Sequence, residues 1–190
     1  MSEASWKDLF TPAMLPRLVL VCLGIWLNAA DSLVTATVMP SVARSIGGYA
    51  FFAWPVAIYL LGSILGGAVA GQFAQRRGLR VALIVSAAIY AIGCAAGALS
   101  TTIGMFLIGR VLQGAGAGLI VGLSYVSINV LFPPTHYWRV MAMLAGIWGI
   151  ATLLGPLLGG VFANVWPLLF WMFAVQAGVF ATAILWLGAA

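Results

Sequence analysis

Acidic side chains are almost missing: Glu3, Asp8 and Asp31 are the whole complement of a 190-residue chain. Histidine occurs once, at His136, beside Pro133 and Pro134. No second carboxylate, thiol or ligand cluster accompanies it, so general acid–base work, nucleophilic catalysis and metal binding lack the groups they need. An enzyme is therefore the least fitting class, no metal or cofactor is expected, and His136 reads as a solvated loop residue. Charge of either sign is also scarce, at 6% of residues against 64% hydrophobic, with a mean hydropathy of +1.16. No polar coat exists that could wrap a water-soluble core, and the solvent for most of the chain must be lipid. The net charge of +5 does not indicate nucleic acid, because the few cations sit in loops between apolar runs.

What is abundant is long apolar sequence. Crossing the hydrocarbon takes roughly 20 apolar residues, and such stretches lie at about 18–39, 51–74, 81–99, 103–131, 140–161 and 168–189. The expected fold is an all-α membrane bundle of six transmembrane helices over 18–190, preceded by a segment, 1–17, at the cytoplasmic surface. Basic residues favour the cytoplasmic side. A cytoplasmic N-terminus puts Lys7, Arg17, Arg76, Arg77, Arg80 and Arg139 inside and only Arg44, among the loop cations, outside; both termini then face the cytoplasm. The first span shows no early cleavage pattern and carries Asn28 and Asp31, which marks it as a mature helix. Helix rise places Cys22 roughly 6 Å and Cys94 roughly 20 Å from the inner face, which argues against a disulfide; both read as small apolar fillers. Met1 to Pro16 reads either as a short interfacial helix or as a frayed tail.

Glycine recurs at a spacing of four in several spans, at Gly62 and Gly66, Gly67 and Gly71, Gly93 and Gly97, and Gly114, Gly118 and Gly122. Lipid gives helices no hydrophobic reason to associate, so small residues that admit close backbone approach are the usual means. Trp54, Trp138, Trp166 and Trp171 fall near span ends, where indoles favour the headgroup level. Trp26 and Trp148 do not, and are candidates for core packing or for lining a cavity.

Two ionisable residues stand inside spans, Asp31 in the first and Arg110 in the fourth. Each costs at least about 2.5 kcal/mol at the bilayer centre. Counting rise from the expected span ends puts both on the order of 10 Å below the outer surface, so they are expected to pair. Asn28 precedes Asp31 by three and Gln113 follows Arg110 by three, which is same-face spacing. These four are expected to line a polar cavity, with Tyr125 and Gln176 as further candidates. Asp31 then reads as a proton or cation site, balanced between desolvation and a nearby guanidinium; a static ion pair locking two helices is the alternative.

Three segments resemble motifs of the major facilitator superfamily. In the loop after the second span, GQFAQRRGLR, Gly71, Arg76, Gly78 and Arg80 match the family's cytoplasmic gating loop, while Gln75 stands where an acid is usual and Leu79 replaces a basic residue. FLIGRVLQGAGAG, from Phe106 to Gly118, resembles the motif whose embedded arginine is implicated in proton coupling, which maps to Arg110 with Gln113 and Gly114. Gly155-Pro156-Leu157-Leu158-Gly159-Gly160 resembles the antiporter motif of the fifth helix, a kink and close contact built by Gly155, Pro156, Gly159 and Gly160. The stretch from Asp31 to Pro40 keeps the acid-to-proline spacing of the fourteen-helix drug:proton antiporter branch.

The resemblance implies a multi-pass plasma membrane (bacterial inner membrane) protein that exports hydrophobic or amphiphilic small molecules by proton antiport. Its members alternate access between two six-helix bundles. This chain supplies one bundle, so a second is expected from a copy of itself (a homodimer), a partner chain or a missing C-terminal half. A half-length scaffold that does not transport is the alternative, and Gln75 leans that way.

Overall fold

The computed structural model describes residues 6–187; the first five residues of the expected interfacial segment, and positions 188–189 of the expected sixth span, lie outside the described residues. Among the described residues seven α-helices follow one another: α1 (Trp6–Leu9), α2 (Leu15–Ile46), α3 (Trp54–Arg77), α4 (Leu79–Ala98), α5 (Ile103–Leu131), α6 (Tyr137–Val161) and α7 (Trp166–Leu187). No strand occurs among the described residues, and α2 to α7 are each long and apolar enough to cross a membrane.

The helix ends follow from local chemistry. Proline stands in the first turn of α2 and of α3, where its missing N–H costs nothing. Thr102 caps α5 by accepting from the Met105 amide at 3.3 Å. Gly78 separates α3 from α4 with φ of 82°, a left-handed conformation that only glycine adopts without strain. The helix α2 has 32 residues and is about 48 Å long, running past the end expected near residue 39. Pro40 lies inside it; one lost backbone bond does not end a helix whose neighbours hold it in place. Its last turns carry Ser41, Arg44 and Ser45, so hydropathy falls before the helix does.

Small residues decide which helices meet. A Cβ on Gly114 or Gly118 would run into the backbone of Tyr59 or Ser63 on α3. On another side of α5, a Cβ on Gly109 would meet the Gly97 amide at 2.8 Å, and one on Gly116 the Tyr90 amide at 2.5 Å, both on α4. Thus α5 is clasped backbone to backbone between α3 and α4, and neither contact survives a larger side chain. The pair α2 and α6 are also brought close by glycine, here against side chains, Gly155 facing Leu33 Cβ and Gly159 facing Thr37 Cβ. Phe106, Trp166 and Phe170 close one end of the core with mutual edge-to-face contacts, ring centroids 5.4 to 6.0 Å apart.

A second apolar cluster at the opposite end seats α1. Leu9 is fully buried there with Leu18, Val21, Ile128, Phe132, Val140 and Leu144. Arg139 lies over the Trp6 ring at 5.5 Å, and Asp8 Oδ2 is 3.6 Å from His136 Nε2. His136 is therefore buried, at 6% exposure, and not the solvated loop residue expected. The docked helix covers it, a contact 128 positions away in sequence that no local pattern announces. Trp166 is likewise buried, its Nε1 donating to Ser45 Oγ at 2.9 Å, whereas Trp54, Trp138 and Trp171 remain exposed.

Candidate functional site

The site begins with one stripe on α2. Asn28, Asp31 and Thr35 fall at i, i+3 and i+7, so they share a helix face, and all three are buried. Opposite them, Arg110 and Gln113 stand one turn apart on α5. The α3–α5 and α4–α5 glycine contacts bring Tyr59 of α3 and Tyr90 and Cys94 of α4 close enough to join.

Asp31 and Arg110 meet directly, Arg110 Nη1 donating to Asp31 Oδ1 at 2.9 Å with both side chains at zero exposure. Thr35 Oγ1 donates to the same oxygen at 3.2 Å, and Tyr90 OH donates to Oδ2 at 3.1 Å. The carboxylate thus holds three donors from three helices. Arg110 Nη1 also donates to Gln113 Oε1 at 2.7 Å, and Nε to the Pro55 carbonyl at 3.3 Å. Its Cζ lies 4.1 Å from the centre of the Tyr59 ring and 6.0 Å from that of Phe170. Gln113 Nε2 donates to Cys94 Sγ at 3.2 Å, and Tyr59 OH to Asn28 Oδ1 at 2.7 Å.

An ion pair this deep is stable only when its remaining donors and lone pairs are also met, and here nearly every one is. The exception is Arg110 Nη2, buried without a hydrogen-bond partner among the described residues. Chemically, the arrangement is a lone carboxylate whose charge is balanced by a single guanidinium. Adding a proton to Asp31 removes the charge that Arg110 was paired with, and the polar groups around it must re-pair.

Asp31 and Arg110 lie at different distances from their helix ends. Arg110 is seven residues into α5, about 10 Å, whereas Asp31 is fifteen residues short of the end of α2, about 22 Å. The end of α2 therefore projects about two turns beyond the start of α5.

A sequence model of the Major Facilitator Superfamily matches residues 21–189. The chain belongs to this superfamily. A protein named "Probable multidrug-efflux transporter" in Mycobacterium tuberculosis (strain H37Rv) is 32% identical over 172 residues, 90% of this chain and 36% of the relative. "Multidrug resistance protein 3" of Bacillus subtilis is 27% identical over 164 residues, 85% of this chain and 31% of the relative. The fold is that of a solved D-xylose-proton symporter, with a TM-score of 0.80 at 20% identity over 90% of this chain and 48% of the other. A peptide transporter structure gives 0.73 at 17% identity over 96% and 39%. This superfamily member is thus a multi-pass integral membrane protein, and it spans about a third of the length of the curated relatives it matches.

Of the residues singled out from sequence, the structure gathers Asp31, Arg110 and Gln113 by direct bonds and Asn28 through Tyr59. They do not line an open cavity here: Asp31, Arg110 and Gln113 are wholly covered and Asn28 is 8% exposed. Desolvated polar groups lower their energy by bonding to one another, which closes the network. None of its hydrogen bonds reaches the other candidates among the described residues. Trp26 is half-buried and lines an apolar groove with Phe10 and Met143. Trp148 and Tyr125 are each 38% exposed, and Gln176 is half-buried with Oε1 unpartnered. In the loop motif, Gly78 makes the turn, Gly71 has open space around it, and Gln75 and Arg76 are exposed. Arg80 donates to the Leu185 carbonyl at 2.9 Å, tying α4 to α7. Gly155 and Gly159 face α2, while Pro156 and Gly160 point away from the bundle.

Tyr59, Tyr90 and Thr35 escaped the sequence reading, and Cys94, read there only as an apolar filler, accepts from Gln113. The signal available was weak but physical: a Tyr hydroxyl inside a span needs a partner, and Thr35 lies one turn from Asp31.

Proposed function

We propose that this chain forms half of a secondary active transporter that exports hydrophobic or amphiphilic small molecules in exchange for protons by alternating access. The observation that carries it is the buried Asp31–Arg110 pair, with three donors converging on the carboxylate. A pair that only pinned α2 to α5 needs no hydroxyl from its own helix at Thr35 and from a third helix at Tyr90, whereas a carboxylate that exchanges protons needs partners that rearrange with it. The names of the efflux relatives support the substrate class.

Transport requires an opposing wall for the cavity. The faces offered for it belong to α3 and α6, whose most apolar windows are only 22% buried within the chain, against 67% for α2 and 61% for α5. A second bundle, whether a copy of this chain, a partner or a C-terminal half, packs there, with both termini cytoplasmic in the bacterial inner membrane. Pro156 and Gly160 on α6 are then placed for that contact.

The test is proton-driven movement of a lipophilic dye in proteoliposomes. Wild type is expected to accumulate dye when a proton gradient is imposed, and Asp31→Asn to lose that response while still binding dye. Gradient-driven transport that persists in Asp31→Asn would remove Asp31 from coupling, and no transport from a verified dimer would remove the reading in which a copy of this chain supplies the second bundle.

A further inference from the structure

The Asp31 network is sealed at every member but one. Asp31, Arg110, Gln113, Tyr59, Tyr90 and Cys94 have no exposed surface and Thr35 has 1%, whereas Asn28 has 8%. Asn28 lies one turn from Asp31 on the same face of α2, toward the end at which that helix begins. It joins the network through one group: Tyr59 OH donates to Asn28 Oδ1 at 2.7 Å and stands 3.4 Å from its backbone carbonyl oxygen. The ring of the same tyrosine carries Arg110 Cζ over its face, so Tyr59 stands between the surface residue and the ion pair. Packing does not lock this point as it locks others. Glycines set α3 against the backbone of α5, Gly62 at Val111 and Gly66 at Ala115, but no glycine contact joins α3 to α2. Farther along the seam between α2 and α3 lies an open crevice of about 370 Å³, lined by apolar residues that include Ala36, Met39, Val56 and Leu60. Hydrocarbon walls give water nothing to bond to, so a wet path to Asp31 runs past Asn28. Inside, a donor waits for water: Arg110 Nη2 is buried with no hydrogen-bond partner among the described residues, and buried water settles where polar groups are unmet.

We infer that the hydrogen bond from Tyr59 to Asn28 is the gate through which water, and with it a proton, reaches Asp31. Made, it covers the network. Broken, it frees the Asn28 side chain to turn aside and admits water to the guanidinium and then to the carboxylate. Tyr59 and Asn28 are thus positioning residues that control access to Asp31. That the admitted proton drives transport rests on the coupling role proposed above for Asp31; the gate itself does not.

The experiment is the rate at which a water-soluble carbodiimide couples glycinamide to Asp31 in the purified chain, read by peptide mass spectrometry at one mildly acidic pH. The carbodiimide takes up the water lost as carboxyl and amine join and leaves as a urea, so the label marks a carboxyl that reagents from water have reached. In a Cys22→Ser background Cys94 is the remaining thiol, and its reaction with a hydrophilic methanethiosulfonate reports on the rest of the network. Losing one ordinary hydrogen bond shifts an opening equilibrium about fivefold. Tyr59→Phe and Asn28→Ala are each expected to speed Asp31 labelling by about that factor and to leave Cys94 unchanged. Because both remove the same bond, the double variant should label no faster than the quicker single one. Unchanged Asp31 labelling in both single variants would overturn the gate. So would effects that multiply in the double variant, or an equal rise at Cys94, which marks a loosened bundle. Should Asn28→Ala not fold, the conservative Tyr59→Phe reads the same bond against the same Cys94 control. Labelling needs no transport: variants that label like wild type remove the gate and leave coupling standing, whereas dye transport that persists in Asp31→Asn removes coupling and leaves the gate.

Discussion

Removing Arg110 leaves the Asp31 carboxylate buried with no cation. Arg110→Met is expected to destabilise the bundle by about 3–5 kcal/mol, measured as a loss of melting temperature in detergent. Asp31→Asn with Arg110→Met removes both charges, and its stability should recover most of that loss. A double variant no better than the single would mean that the hydrogen bonds, not the charges, hold the site. Tyr90→Phe tests the third donor on Asp31. A hydrogen bond to a charged group contributes about 1.5–3 kcal/mol, so a clear drop is expected in wild type and almost none in the Asp31→Asn background. Equal drops in the two backgrounds would place the role of Tyr90 in packing.

For the helices, glycines in the same span make opposite predictions. A side chain on Gly118 meets the α3 backbone at Ser63, and one on Gly155 meets Leu33 on α2, whereas Gly160 has nothing within 4 Å. Gly118→Leu and Gly155→Leu should each cost at least about 1–3 kcal/mol by overpacking, read as earlier loss of the monodisperse peak in heated gel filtration. Gly160→Leu should leave the stability of the isolated bundle unchanged. If α6 contacts a second bundle, the same substitution should weaken that association; unchanged association would move the interface off this face.

Taken whole, the molecule buries its polar centre and leaves three of the six spans among the described residues, those of α3, α6 and α7, mostly uncovered. Lipid can cover such faces, so exposure alone does not call for a partner; if a copy of this chain supplies the opposing wall, native mass spectrometry of the chain in nanodiscs should show a dimer. A persistent monomer would mean that this chain alone lacks the opposing wall. Orientation is tested separately. Single cysteines at Arg44 and at Arg77, in a chain freed of Cys22 and Cys94, should react with an impermeant maleimide from opposite sides of the membrane, Arg44 from outside. Labelling of both from one side would reject the six-span topology, and Arg77 from outside would reverse it.

Six spans were legible in the sequence because apolar length is a local property, and lipid permits only structures that satisfy their own backbone. The pairing of Asp31 with Arg110 was legible too: two charges in hydrocarbon have few ways to lower their energy except each other. The glycine spacing likewise announced close packing. Which helices it joined was decided only in three dimensions, since Gly114 and Gly118 could meet any span until the fold set α3 against them. Tyr59, Tyr90 and Cys94 entered the site for the same reason, from positions 28 to 63 residues away from Asp31 in sequence. Pro40 read as an end and proved an interior residue, because tertiary neighbours hold α2 together past one missing bond. His136 read as solvated and is buried, because α1 returns to cover it. Local chemistry determined what must be helical, apolar and paired; the contacts between distant helices determined with what.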